Sequence, residues 1–387
     1  MIMSKYIDNL NNYYVNTYSR SNICFTSGKG SILVDENGKE YIDFGSGIAV
    51  NGLGICNEKV NEAVIKQLNK IPHTSNLYYN EPQGTLAETL IKRTGMKRVF
   101  LSDSGAEANE CAIKIARKYS FDKYGDNRNV IVALNNSFHG RTVTTLSATG
   151  QDVFHTYFMP FTEGFRFAAA GDLDAMKSAL TKDVCAVIME LVQGEGGVVA
   201  LDKDYVKAVA ELCDKHDILL IIDEVQTGNG RCGNLYAYME YGISPDVVTT
   251  AKGIANGLPL GVTFVGDKAE YTLSAGTHGS TFGGNLCSCA AAVEVLKQLD
   301  EQLFKDVKAK HDYIIKELSG CKGVKSVTGM GLMLGIDCED NKAVLKACRE
   351  KGLIVLTAKN KIRLLPALNI PDELLKQGVE IIKEVLK

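Results

Sequence analysis

Five short apolar runs constrain this chain more than any other feature: RVFL at 98–101, NVIVAL at 129–134, VCAVIM at 184–189, ILLII at 218–222 and DVVTT at 246–250. They are rich in branched residues and nearly free of polar ones, the pattern of strands covered on both faces. Helical stretches lie between them. Such alternation predicts an α/β chain with a mostly parallel central sheet.

In open sheets of this kind, ligands gather beyond the carboxyl ends of the strands. The residues just after each run are therefore the first candidates for chemistry. RVFL leads to SDSGAEANE, where Ser104, Gly105 and Ala106 open a helix whose free N–H groups and dipole suit a phosphate. Taken alone, Ser104 reads as a helix cap. NVIVAL leads to NNSFHGRT. There Phe138 could stack on a flat heteroaromatic ring and Arg141 could clamp a carboxylate. A lone FHGR string would instead read as a core phenylalanine and a surface arginine, and His139 reads equally well as structural.

VCAVIM leads to ELVQGEGG, with Glu190 at the strand end and Glu195 in the loop. No cysteine or histidine stands near them in ligand spacing, so no metal site is proposed. Asp223 follows ILLII directly, and Lys252 leaves DVVTT for a glycine-spaced loop. An amine and a carboxylate at one rim suggest pyridoxal phosphate chemistry: the amine forms an imine with the cofactor and the carboxylate keeps its ring nitrogen protonated. Further on, GTHGSTFGGN sets Thr277, His278, Ser280 and Thr281 among glycines, a polar loop able to reach a phosphate. KIRLLP offers Arg363 as a second carboxylate clamp. The glycines of GNGRCG at 228–233 satisfy G-x-G-x-x-G, but DEVQT separates them from the strand, so a dinucleotide site is a poor second reading.

Three segments describe the expected domain plan: 1–60 and 286–387 together form a smaller α+β domain, and 61–285 forms the large cofactor-binding domain. At the start, residues up to about Tyr18 are polar and tyrosine-rich and predict one amphipathic helix; SILVDENGKEYIDF predicts two strands joined at Asn37-Gly38. EKVNEAVIKQLNKI has helical spacing. One long helical pattern runs from Leu286 to about Leu318, and a final helix starts near Pro371.

A net charge of −3 gives no electrostatic case for nucleic acid or an anionic membrane. No segment reaches the roughly 18 apolar residues of a membrane span, and the start lacks a signal-peptide core. The 11 scattered cysteines read as reduced thiols, so the expected location is the cytoplasm.

In order along the chain, YIDFGSGIAVN, HTSNLYYNEP, SGAEANE, FHGRT, VQGEGG, DEVQTGNGR, AKG, HGSTFGGN and IRLLP resemble the class III, or omega, aminotransferases of the fold-type-I pyridoxal phosphate enzymes. The resemblance implies that Lys252 bonds the cofactor and shuttles a proton, that Asp223 pairs with its ring nitrogen and that Gln226 meets its ring hydroxyl. Phe138 and Val225 would sandwich the ring. Ser104, Gly105 and Ala106 would hold the phosphate, with Thr281, beside Ser280 of the substrate loop, reaching it from the other subunit of a homodimer. For substrate, it implies Arg141 on a distal carboxylate, Arg363 on an α-carboxylate, and Glu195 neutralising Arg363 in the amine-donor half.

The implied reaction moves the terminal amine of N2-acetyl-L-ornithine to 2-oxoglutarate, as in arginine biosynthesis. Ornithine, 4-aminobutyrate and N-succinyl-diaminopimelate are the alternative donors. GSGIAVN lacks the tyrosine that ornithine-specific members carry, which favours an acylated donor. The family's usual GHCHP is GICNE here, EPVQGEGG is ELVQGEGG, GRTG is GRCG, and LPA replaces a double proline.

Overall fold

The apolar runs assemble into a seven-stranded sheet in a computed structural model that describes residues 4–387. Residues 1–3 of the expected N-terminal segment lie outside the described residues. The strand order is Arg98–Ser102, Gly261–Val265, Val247–Thr250, Leu219–Asp223, Val184–Met189, Val130–Leu134, Phe165–Ala168. Six strands share one direction; Gly261–Val265 is antiparallel to both its neighbours. Val184–Met189 and Leu219–Asp223 are buried at every position, as central strands in a sheet covered on both faces must be.

Two of the seven strands go beyond the five runs. Phe165–Ala168 is an edge strand, only partly buried, and lacks a continuous apolar run. Gly261–Val265 includes Thr263, whose buried hydroxyl is satisfied within the fold by donating to Ala108 O at 2.8 Å. A Cβ on Gly261 would lie 2.2 Å from Ser104 O, so this strand passes under the phosphate-type turn only because its first residue is glycine.

Helix Gly105–Tyr124 covers one face of the sheet. It presents Ala108, Cys111, Ala112, Ile115 and Ala116, and these small side chains let it lie close to the strands. On the other side, Leu286–Gln298 packs against Glu58–Lys70 and Glu81–Thr94. The long helical pattern expected from Leu286 is two helices, Leu286–Gln298 and Glu301–Leu318. The break is made by Asp300, whose carboxylate accepts from Leu303 N at 2.8 Å and caps the second helix.

Both ends of the chain build the remaining sheets. Phe25–Lys29, Ile32–Asp35 and Glu40–Asp43 form an antiparallel set that turns at Gly38, and Leu353–Ile354 adds to it in parallel. Ser326–Met330, Met333–Asp337, Lys361–Leu364 and Leu356–Ala358 form a second four-stranded sheet. Near the N-terminus, helix Lys5–Tyr13 buries none of its residues. Among the described residues no helix is long and apolar enough to cross a membrane, and all 11 cysteines are unpaired.

Candidate active site

The carboxyl ends of the parallel strands open into a cleft of about 450 Å³. Asp223 closes Leu219–Asp223 and is 4% exposed. Its Oδ2 accepts from Asn109 Nδ2 at 2.7 Å and lies 2.8 Å from His139 Nδ1; its Oδ1 accepts from Val225 N at 2.9 Å. A carboxylate has about four lone-pair sites, so one is left for a donor in the cleft. Asn109 is further fixed by accepting from Thr249 Oγ1 at 2.7 Å and donating to His139 O at 2.8 Å.

Lys252 faces the same cleft from two residues beyond Val247–Thr250. Its φ of +47° is unusual for a side-chain-bearing residue. The preceding backbone is tied down: Asn229 Nδ2 donates to Thr250 Oγ1 at 2.9 Å and to Ala251 O at 3.0 Å. Burial lowers the Lys252 pKa, against the opposing pull of Glu195, Asp223 and Glu190. A lysine poised this way presents a neutral amine more readily than a surface lysine does. Glu190 accepts from Phe138 N at 3.0 Å, and burial, with Asp223 nearby, pushes its carboxyl well above the usual range.

Ser104 caps helix Gly105–Tyr124 by accepting from Glu107 N, and Glu107 Oε2 in turn accepts from Asp103 N at 2.8 Å and from the Ser104 hydroxyl at 3.0 Å. The N–H groups of Gly105 and Ala106 find no acceptor among the described residues. Together with the helix dipole they make an anion site. The turn has no spare room: a Cβ on Gly105 would lie 2.6 Å from Val225 Cγ1, and one on Gly140 would lie 2.8 Å from Ala106 Cβ. Phe138 and Val225 line the cleft between this turn and Asp223.

Two arginines stand at the site differently: Arg141 lines the cleft, and Arg363 lies behind its lining, against Gln226. Arg363 is buried, with NH1 2.5 Å from Glu195 Oε1 and 3.2 Å from Gln226 Oε1. Arg141 is exposed at the mouth, its guanidinium 4.3 Å above the Phe154 ring and 5.5 Å from that of Phe138, and no salt bridge among the described residues involves it. Facing the cleft, Val50 follows a left-handed turn, Ser46 to Ala49, with φ between +46° and +64°. Asp43 Oδ1 holds its start by accepting from Gly45 N and Ser46 N.

The loop 274–284 sits apart from this group. Ser280 Oγ lies 3.3 Å from Asp103 Oδ2 at the cleft edge, but Thr281 is exposed in a separate surface hollow beside Tyr78, Tyr79 and His278. Within one chain Thr281 is not gathered with Lys252. Asn109, Asn229 and the pairing of His139 with Asp223 escape sequence reasoning; the one available signal was an asparagine inside an otherwise apolar helix face.

The chain matches the family model described as "Aminotransferase class-III" over residues 13–386. It is 50% identical over 379 residues to acetylornithine aminotransferase of Haemophilus ducreyi, covering 97% of this chain and 96% of that protein. Among solved structures, it superposes on ornithine aminotransferase of Toxoplasma gondii with a TM-score of 0.94 at 31% identity, covering 98% and 94% of the two chains. N-acetylornithine aminotransferase of Stenotrophomonas maltophilia aligns with a TM-score of 0.83 at 33% identity, covering 97% of each.

Proposed function

The chain belongs to the class-III aminotransferases, and from that premise we propose that it transfers the terminal amine of N2-acetyl-L-ornithine to 2-oxoglutarate, giving N-acetyl-L-glutamate 5-semialdehyde and L-glutamate. The observation that carries this reading is the buried Arg363 paired with Glu195, both close enough to act on the charge of Lys252, while Arg141 lines the cleft with no acidic partner among the described residues. The first arginine is occupied by an internal carboxylate; the second is open to one from a substrate.

The residues present fit pyridoxal phosphate. The Gly105 turn offers free N–H groups in a cradle that a Cβ would fill, Asp223 keeps one lone-pair site, and Phe138 and Val225 border an apolar slot. The chemistry supplied by the bound cofactor is a carbonyl carbon that exchanges amines and a ring that withdraws electrons. Lys252 Nζ would hold the cofactor covalently and, once released, carry the proton removed from the donor's terminal carbon. Asp223 would keep a proton on the ring nitrogen, and Gln226 Nε2 would reach a ring hydroxyl while its Oε1 stays with Arg363.

Arg141 would take the donor's carboxylate at the mouth, so that the long amino acid enters amine-first. Glu195 keeps Arg363 neutralised during that half. When 2-oxoglutarate enters, its α-carboxylate displaces Glu195 from Arg363. One buried cation thus serves two substrates because its partner is exchangeable, and neither state leaves the charge unpaired.

The same reading includes a homodimer whose second copy brings Thr281 to this cleft. Its support is the apolar surface left open on one chain: Leu77, Tyr78, Tyr79 and Phe282 are each more than half exposed around the 274–284 loop. It also includes a cytoplasmic setting, supported by the unpaired cysteines, and the division into a large and a smaller domain.

The test is the visible absorbance of the purified holoenzyme as N2-acetylornithine, ornithine, 4-aminobutyrate and N-succinyl-diaminopimelate are added separately without keto acid. We expect the cofactor band to fall fastest with N2-acetylornithine and to return with 2-oxoglutarate. A faster rival removes the named donor, and a protein that never binds the cofactor removes the whole reading.

A further inference from the structure

The loop that carries Glu195 ends on a residue under strain. Val198 is β-branched and fully buried, yet its φ is +53°, a region that such side chains avoid. Strain of this kind persists only where the surroundings over-determine it. Here the surroundings come from the C-terminal sheet.

In that sheet Thr328, Gly335 and Arg363 are direct cross-strand partners on three adjacent strands. Their side-chain positions therefore lie in one row on one face. Gly335 contributes no side chain, and a Cβ built on it would sit 2.9 Å from Val198 Cβ and 3.2 Å from Val198 Cγ2. Val198 fills this notch in the row that carries Arg363. Thr328 Oγ1 donates to Val198 O at 2.7 Å, and Lys361 Nζ, two residues before Arg363 on its strand, donates to Thr328 Oγ1 at 2.8 Å.

The other side of the loop is equally confined. A Cβ on Gly196 would lie 2.7 Å from Asn136 O, and Gln193 Nε2 donates to Asn135 O at 2.9 Å. Only three peptide units separate Val198 from Glu195, too few for the glutamate to wander once both ends of the loop are held. It arrives 2.5 Å from Arg363 NH1.

We propose that the Gly335 notch and the Thr328 hydroxyl are positioning elements that hold Glu195 against Arg363, and so set how well the protein separates its amine donor from 2-oxoglutarate. The inference rests on the roles of Glu195 and Arg363 given above. Thr328 and Gly335 lie outside the cleft lining and both meet Val198, so the loop from Glu195 to Val198 is the route by which they act on Glu195.

The experiment measures both half-reactions of the holoenzyme by single-turnover absorbance, with N2-acetylornithine and with 2-oxoglutarate, for Thr328→Val, Thr328→Ser, Gly335→Ala and Glu195→Gln. Thr328→Val should lower kcat/KM for the donor about fivefold relative to 2-oxoglutarate, chiefly through KM, and Thr328→Ser should restore the ratio. Gly335→Ala should act in the same direction. Amide hydrogen exchange over residues 194–198 should quicken in Thr328→Val. If Glu195→Gln splits the half-reactions but Thr328→Val lowers both equally, or neither, the positioning role is wrong and the function stands. If Glu195→Gln itself leaves the ratio unchanged, the reading of the Glu195–Arg363 pair falls, and this inference with it.

Discussion

His139 Nδ1 lies 2.8 Å from Asp223 Oδ2, and both side chains are closed off from solvent. The imidazole and Asn109 grip the same oxygen while Val225 N holds Oδ1, which leaves one lone-pair site of the carboxylate unused. A buried carboxylate held by three donors has little freedom to turn, so its orientation is set before any ligand arrives.

Removing one of those donors should loosen that direction without removing the charge. His139→Leu should lower kcat about tenfold, the scale of one lost charge-assisted hydrogen bond. Steady-state kinetics on the cofactor-saturated enzyme checks it; an unchanged kcat would show that Asn109 and Val225 N suffice.

Glu195→Gln keeps the shape of the Arg363 pair and deletes its charge. If the proposed exchange holds, with Arg363 neutralised by Glu195 only in the donor half, the donor half-reaction should lose about tenfold or more in kcat/KM while that of 2-oxoglutarate changes about threefold or less. Equal losses in rapid-mixing measurements of the two halves would count against an exchangeable partner.

Gly105→Ala should weaken cofactor binding. The added methyl meets Val225 at 2.6 Å, so either the turn at Ser104–Ala106 or Val225 must move. A rise of about tenfold in the dissociation constant of pyridoxal phosphate, measured by equilibrium dialysis, is expected. Thermal stability of the apoenzyme should fall much less than that of the holoenzyme.

Glu224 carries a pH dependence of stability. It is buried beside Asp223, accepts from Tyr238 N at 2.7 Å and from the Thr227 hydroxyl, and burial pushes its pKa from 4.5 up to about 7. Between those values the folded protein keeps a proton that the unfolded chain has released. Stability from this group therefore falls as pH rises from about 4.5 to about 7, and is level above. Glu224→Gln, neutral throughout, should show a smaller drop in Tm between pH 5 and pH 7.5 than the parent; identical drops in calorimetry would exclude the group as the source.

The rim of the cleft was legible before the structure for a simple reason. A strand buried on both faces needs an unbroken apolar run, so the residue that ends the run is marked in the sequence; Asp223 and Lys252 stand where two such runs stop. The hairpin at Gly38 was legible because its turn needs a positive φ that glycine adopts without cost. The strand Gly261–Val265 was not, because its glycine start and buried Thr263 answer to Ser104 and Ala108, more than 150 positions earlier. Asn109 and Asn229 were missed likewise: a polar residue inside a helix or loop carries no local sign of a partner far along the chain.

By itself, through local periodicity and the chemistry of the residues that end each apolar run, the sequence determined the α/β class and the side chains offered at one rim. Only the tertiary structure decided how they are aimed. His139 turned onto Asp223; Glu195 closed onto Arg363, which was expected only through the family resemblance and not through any local pattern; and Val198 was pressed into the Gly335 notch. Each of these pairings joins residues from 84 to 168 positions apart, or 137 in the last case, a separation across which no local propensity acts and only the packing of sheets and loops can choose a partner.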